Sequence, residues 1–181
     1  MEMEQIVAAV QNGDKTKYRY IIEHYEQKVF ATTVRIVRDV STAEDLVQEI
    51  FIKAYHNLAK YEPTGSFNAW LYRLAMHHCL DYVKKKRPVI SDDELQIADD
   101  TYPENVVLLR EKESQLEALL NELEQKDKAV LLLRYVNELR YDEIAEALKI
   151  PHNEVRNRLH RAKKKLRQVG TAKGGYFREM R

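Results

Sequence analysis

The chain has 181 residues and is poor in the residue types that mark several protein classes. A single cysteine, Cys79, excludes a disulfide framework and a zinc site built from four thiolates. Only five glycines are present, and none forms a glycine-rich phosphate loop. Purely aliphatic runs, such as residues 130–133, are far too short to cross a membrane. The acidic amino terminus also lacks the pattern of a signal peptide.

Net charge is also nearly absent, because 30 Lys and Arg face 29 Asp and Glu. This balance is a cancellation between segments. Residues 1–90 sum to +2, residues 91–127 to −9 and residues 128–181 to +8. The basic excess is concentrated in two runs, at residues 84–87 and 156–167. Two basic patches separated by an acidic stretch are typical of a protein that binds a polyanion, so overall neutrality does not exclude nucleic acid.

Apolar residues recur at spacings of three and four between the few glycines and prolines, which predicts helices throughout and no strands. The helices are expected at about 4–11, 15–37, 41–58, 67–86, 104–124, 128–136, 141–148 and 152–169. The third helix is expected to begin at Ser41, with Glu44 completing a capping box. The buried stripe of the second helix is expected at Tyr18, Ile21, Ile22, Tyr25, Val29 and Val34. That of the third is expected at Ala43, Leu46, Val47, Ile50, Phe51, Ala54 and Leu58. The predicted fold class is all-α, with two small helical domains joined by a flexible acidic linker. Their expected bounds are 1–88 for the first domain, 89–103 for the linker, 104–170 for the second domain and 171–181 for a flexible tail.

The last two predicted helices have the pattern of a helix-turn-helix. A short helix at 141–148 is followed by a tight connection and by a longer helix from His152. The longer helix has an apolar stripe at Val155, Leu159, Ala162 and Leu166, while its opposite side is basic. A helix of this shape fits the major groove of DNA, where Arg can bind guanine and Asn can bind adenine. The second domain is therefore predicted to bind duplex DNA.

Three stretches together resemble a known family. LRYDEIAEAL at 139–148, with VRNRLHRA at 155–162, is similar to the carboxyl-terminal promoter-recognition domain of bacterial sigma factors, above all those of the extracytoplasmic-function group. AEDLVQEIFIKA at 43–54 resembles the helix with which this family docks on RNA polymerase core. FNAWLYRLA at 67–75 resembles the helix that meets the minus-ten promoter element. The resemblance implies a sigma factor that directs promoter-specific transcription initiation.

The resemblance also implies roles for individual residues. The residues that match its polymerase-binding positions are Asp45, Gln48, Glu49 and Ile52. Those that match or flank its minus-ten positions are Asn68, Arg73, His77, Lys84, Lys85 and Arg87. Those that match its minus-thirty-five readers are Arg156, Asn157, His160 and Arg161, with Lys164 beside them and Arg158 assigned to phosphate. Phe67 and Trp70 are expected to hold the core and shape the loop before them.

The chain departs from the family pattern at several positions. His77 stands where the family usually has Asn, and Lys149 where it usually has a turn glycine. Arg140 replaces a Ser or Thr helix cap, which is expected to cost ~1 kcal/mol. Glu124 replaces a proline, and Asn153-Glu154 replaces Gly-Thr, which brings a carboxylate near the DNA phosphates. These changes predict a promoter preference that differs from the common one.

The implied partners are the core polymerase, through the β′ clamp helices and the β subunit, promoter DNA and an anti-sigma factor. We expect no cofactor, no metal, no small-molecule substrate and no membrane insertion. The expected location is the cytoplasm, on the nucleoid when active or held at the membrane by the anti-sigma factor. An enzyme is disfavoured, because adjacent His77 and His78 point about 100° apart on a helix and cannot converge on a metal. A helix-turn-helix regulator that binds DNA without polymerase, and a decoy that binds core without transcription, remain alternatives.

Overall fold

A computed structural model describes residues 2–62, 65–86 and 116–172. Regular secondary structure in these ranges is helical, with no strand, which confirms the all-α class. The first unit contains α1 (Met3–Gln11), a 3₁₀ turn (Lys15–Lys17), α2 (Tyr18–Val37), α3 (Val40–Leu58) and α4 (Phe67–Lys86). The second unit contains helical residues 116–121, α5 (Gln125–Tyr135), α6 (Tyr141–Leu148) and α7 (His152–Ala172).

The start of α3 differs from the prediction. Asp39, not Ser41, is the N-cap, and its Oδ1 accepts a hydrogen bond of 2.7 Å from the backbone N–H of Thr42. The preceding residue, Arg38, has φ 62° and ends α2 in the left-handed region. The turn is therefore one residue tighter than expected, and Ser41 lies inside the helix, where it cannot act as the cap.

The core of the first unit is formed mainly by the predicted apolar stripes. On α3 the predicted residues are buried: Ala43, Leu46, Val47, Ile50, Phe51, Ala54 and Leu58. On α2 the prediction is wrong at Ile22 and Val34, which are only half-buried, whereas Thr32, Thr33 and Ile36 are buried. Thr32 and Thr33 are buried because of contacts with residues distant in sequence: Thr32 bonds to Asn137, and Thr33 bonds to Cys79.

The second unit has the predicted helix-turn-helix. The stripe of α7 is buried at Val155, Leu159, Ala162 and Leu166, none more than 7% exposed. Lys149 ends α6 with φ 52°, so a lysine occupies the left-handed position that favours glycine. The start of α6 is capped without Ser or Thr, because the Glu143 carboxylate accepts the Arg140 backbone N–H at 2.8 Å. This bond satisfies the N-cap amide and offsets part of the expected cost of Arg140.

The two units pack against each other, with α6 on α4 and α5 on α2. Asn137, 6% exposed, accepts a hydrogen bond of 2.9 Å from the Thr32 hydroxyl and donates one of 3.2 Å to the Lys28 carbonyl. Ser66, just before α4, donates to the Glu143 carboxylate. An exposed ion pair of 2.6 Å joins Lys28 to Glu138. This packing buries α4 more widely than the sequence predicts, and Tyr72 and Met76 are each 1% exposed.

Several predictions fall outside the described residues. They concern the linker at 89–103, the first part of the helix at 104–124, Arg87 and the tail beyond residue 172. Within the described part of the chain, no helix combines the length and apolar character needed to cross a membrane.

Candidate polymerase and nucleic-acid interfaces

The outer face of α3 brings together the four residues predicted to bind polymerase. Asp45, Gln48, Glu49 and Ile52 are all exposed, and their spacing places them on one side of the helix. Ile52 is 58% exposed, so this face also presents an apolar side chain. The face thus combines two carboxylates, an amide and one apolar side chain.

A groove between α3 and α4 adjoins this face, and its lining includes Asp45, Glu49, Lys53, His78 and Lys85. His78 bridges the groove, because its Nε2 lies 2.7 Å from Glu49 Oε2 and its Nδ1 lies 2.7 Å from Lys53 Nζ. The family motif on α3 does not include His78, which is on α4. No local spacing predicts this contact, because His78 and Glu49 lie 29 positions apart.

On α4, three of the residues predicted for the minus-ten element share one side. Arg73, His77 and Lys84 fall within about 40° of one another around the helix axis. His77 and Lys84 are exposed, and His77 Nδ1 lies 3.1 Å from Asp81 Oδ2. Lys84 and Lys85 lie in the exposed last turn, where positive charge also complements the helix dipole. This side of α4 is a basic strip.

Asn68 does not lie on the basic strip. It is about 140° around α4 from Arg73, half-buried, and its side-chain oxygen accepts a hydrogen bond from the Tyr25 hydroxyl. Beside it, Tyr61, Phe67 and Trp70 form an aromatic cluster with ring centroids 5.2–5.5 Å apart. Phe67 is buried, as predicted, while Trp70 is half-buried at the edge of the cluster. Asn68 thus belongs with the loop before α4.

On α7, most of the residues predicted to read the minus-thirty-five element lie opposite the buried stripe. Arg156, Asn157, His160 and Lys164 are exposed, and they fall within about 100° around the helix axis. Lys163, Lys165 and Arg167 extend the positive charge toward the end of the helix. The face can therefore present hydrogen-bond donors to base edges and lysines to phosphates.

Arg158 and Arg161 lie on one flank of this face and contact Asp127 of α5. Arg161 donates from Nε and Nη2 to the Asp127 carboxylate at 3.2 and 3.1 Å, and Arg158 Nη1 lies 3.4 Å from it. Glu154 Oε1 lies 2.9 Å from Arg158 Nη2. The Arg158 side chain is only 14% exposed, so it is placed for an ion pair inside the unit rather than for the phosphate contact expected of it. Glu154 is neutralised by the same network.

The residues considered for a metal site do not converge. His77 pairs with Asp81, His78 faces Glu49, and the Cys79 thiol is buried 3.5 Å from the Thr33 hydroxyl. Burial raises the pKa of Cys79 to about 11. No group of three or more His, Cys, Asp or Glu suited to a metal occurs among residues 2–62, 65–86 and 116–169.

Both units match known protein families. The family description "Sigma-70 region 2" matches residues 21–89, and "Sigma-70, region 4" matches residues 113–166. The chain belongs to the sigma-70 family, in its extracytoplasmic-function group. Individual proteins similar to this chain are sigma factors of the same group. The chain is 31% identical to the ECF RNA polymerase sigma factor SigW of Bacillus subtilis, over 93% of this chain and 96% of that protein. It is 30% identical to the ECF RNA polymerase sigma-E factor of Escherichia coli strain K12, over 87% and 88%.

Solved structures share this fold. CnrH in complex with the cytosolic domain of CnrY matches with a TM-score of 0.75 at 19% identity, over 93% of this chain and 97% of that one. RpoE of Bartonella quintana in complex with the anti-sigma factor NepR matches with a TM-score of 0.68 at 16% identity, over 85% and 96%. In this sigma factor, region 2 corresponds to the first unit and region 4 to the second, and region 4 ends in α7.

Proposed function

We propose that this sigma factor binds RNA polymerase core through the outer face of α3 and selects promoters with α4 and α7. The observation that carries the proposal is the division of exposed surface. One helix presents an acidic and apolar face, and two others present basic faces. Each face coincides with a family motif, and the motifs occur in the family's order. A partner helix such as the β′ clamp would meet Ile52, while Asp45 and Glu49 would meet its basic side chains.

In region 4, α7 would enter the major groove of the minus-thirty-five element. Arg156, Asn157 and His160 would reach base edges, and Lys164 would contact phosphate, which makes affinity fall steeply with salt. In region 2, the basic strip of α4 would follow the backbone of the minus-ten element. A base extruded from the opened duplex would occupy the loop beside Asn68, because aromatic walls such as Trp70 compensate for lost stacking.

The packed arrangement of the two regions is not the promoter-bound one. Elements centred about 25 base pairs apart are separated by roughly 85 Å of DNA at 3.4 Å per step. A compact body of 181 residues has a radius of gyration of only about 16 Å. While α6 packs on α4, the two regions cannot reach both elements together. The contacts at Asn137 and Glu143 must therefore open when the protein joins polymerase and DNA.

An anti-sigma factor would act on the closed state. The structural neighbour RpoE was solved in complex with the anti-sigma factor NepR, and CnrH with the cytosolic domain of CnrY, which supports an anti-sigma partner here. Such a partner would hold α6 on α4 and keep the α3 face from the polymerase. The site of action would be the cytoplasm, where core polymerase and promoter DNA meet.

Transcription in vitro tests the proposal. Core polymerase with this protein should start at defined sites in a pool of genomic promoters, and core alone should not. Ile52→Glu should abolish site selection by weakening the complex with core. Tyr20→Ala removes another large apolar residue, 53% exposed on α2, and should have no effect. Absence of any selected start site would overturn the proposal. Specific binding of promoter DNA without polymerase would favour the regulator, and binding to core without transcription would favour the decoy.

A further inference from the structure

Asp127 is a carboxylate from outside the recognition helix that holds one of the predicted base readers. It lies in the first turn of α5 and is 6% exposed. Its Oδ2 accepts from Arg161 Nε at 3.2 Å, and its Oδ1 accepts from Arg161 Nη2 at 3.1 Å. The pair is bidentate, the geometry in which an arginine and a carboxylate fix each other's orientation.

The bidentate pair leaves part of the Arg161 guanidinium available. A guanidinium carries five N–H donors, and Asp127 engages the edge formed by Nε and Nη2. The other edge, formed by Nη1 and the second hydrogen of Nη2, is not held by Asp127, although Nη2 also lies 3.5 Å from Glu154 Oε1. An edge of this kind is the one that binds O6 and N7 of guanine. The Arg161 side chain is 51% exposed, so part of the guanidinium remains accessible.

The neighbouring charges favour the same orientation. Arg158, 14% exposed, lies between Asp127 and Glu154, and it balances much of the charge of the two carboxylates. Arg161 lies four residues after the exposed Asn157, one helical turn along α7. A free arginine samples many rotamers and loses that freedom on binding, whereas a guanidinium that is already fixed loses less.

We propose that Asp127 is a positioning residue for promoter selectivity, which holds Arg161 so that the opposite edge of its guanidinium reads one base of the minus-thirty-five element. The inference rests on the proposed function of α7. It adds a residue of α5, outside the helix that enters the groove. It also gives Arg161 a different role from Arg158, which the same carboxylate holds within the unit.

The test is a selection with the complete holoenzyme. A duplex library randomised across the minus-thirty-five element is bound by core polymerase carrying wild type, Asp127→Asn, Arg161→Ala or the double variant, and bound sequences are counted. Asp127→Asn and Arg161→Ala should each lose about tenfold in preference at the same position, and the double variant should lose no more. Asp142→Asn removes an exposed carboxylate that pairs with Arg140 at 3.0 Å and should leave the profile unchanged.

The outcomes separate this inference from the function on which it rests. If wild-type holoenzyme selects sequences and Arg161→Ala selects the same ones equally well, the inference is wrong even if Asp127→Asn fails to fold. A folded Asp127→Asn variant with an unchanged profile would also overturn it. Loss of preference at different positions in the two single variants would show that Asp127 does not act through Arg161. If wild-type holoenzyme selects nothing, the proposed function itself fails.

Discussion

Asn137 joins region 4 to α2, and its replacement by alanine tests whether the closed arrangement is stabilised by this contact. The substitution removes the hydrogen bond accepted from Thr32 at 2.9 Å and the one donated to the Lys28 carbonyl at 3.2 Å. Thr32 is only 4% exposed, so its hydroxyl would lose its partner while still buried. At about 1 kcal/mol for each bond, the closed state would lose about 2 kcal/mol. This corresponds to roughly a 30-fold rise in the ratio of open to closed protein.

Glu138→Gln is the matched control, because it acts at the next residue of the same interface. The Lys28–Glu138 pair is short at 2.6 Å, but the Glu138 side chain is 74% exposed and the Lys28 side chain 45%. Water and salt screen a pair this exposed, so its loss should change the closed state little. The comparison therefore separates a buried amide from an exposed charge at one site.

Small-angle X-ray scattering measures the opening directly as an increase in radius of gyration, and urea denaturation followed by far-UV circular dichroism measures the free energy. Asn137→Ala should increase the radius of gyration and lower the free energy of unfolding by about 2 kcal/mol, while Glu138→Gln should match wild type in both. If both variants match wild type in scattering and in denaturation, the buried hydrogen bonds do not hold the regions together, and the magnitude derived above is wrong.

Three further predictions follow from single residues. Burial, and to a smaller extent the nearby charge of Arg38, lowers the pKa of Lys128 to about 8 in the folded protein. Above that pH the unfolded protein binds more protons than the folded one, so the free energy of unfolding should rise by about 1–2 kcal/mol from pH 8 to 9.5 in denaturation curves. Lys128→Met should remove that rise. Because burial raises the pKa of Cys79 to about 11, a thiol reagent at pH 8 should label native protein far more slowly than denatured protein, and equal rates would contradict the burial. Arg158→Ala should lower the free energy of unfolding by about 1–2 kcal/mol, because it removes one of the two arginines that pair with the buried Asp127 while Arg161 remains. Arg156→Ala, in contrast, should weaken promoter binding at unchanged melting temperature.

Much of the fold follows from local pattern. The helix bounds of α4 and α6 agree with the apolar periodicity, and the stripes of α3 and α7 are buried at the predicted positions. Periodicity works best on α3 and α7, because each of these two helices buries one face against its own unit. It is less informative on α2 and α4, which also contact region 4, so that polar Thr32 and large Tyr72 are buried as well.

The residues of the candidate site could largely be predicted from the sequence, whereas several of their contacts could not. The exposed faces of α3 and α7 coincide with the residues that the family motifs mark. The role of Arg158 could not be predicted, because its carboxylate partner Asp127 lies 31 residues away and no local spacing relates the two. The bridge from His78 to Glu49 was missed for the same reason.

The sequence by itself determined the helices, the helix-turn-helix and the family, because capping residues, apolar spacing and motifs act over a few neighbouring positions. Only the tertiary structure decided which charged side chains are held and which are exposed. It pairs Asp127 with two arginines of α7 and buries Asn137 against α2, at sequence separations of 31 to 109 residues. At such distances chain entropy imposes no preferred pairing, and the partner is chosen by which surfaces meet when the helices pack.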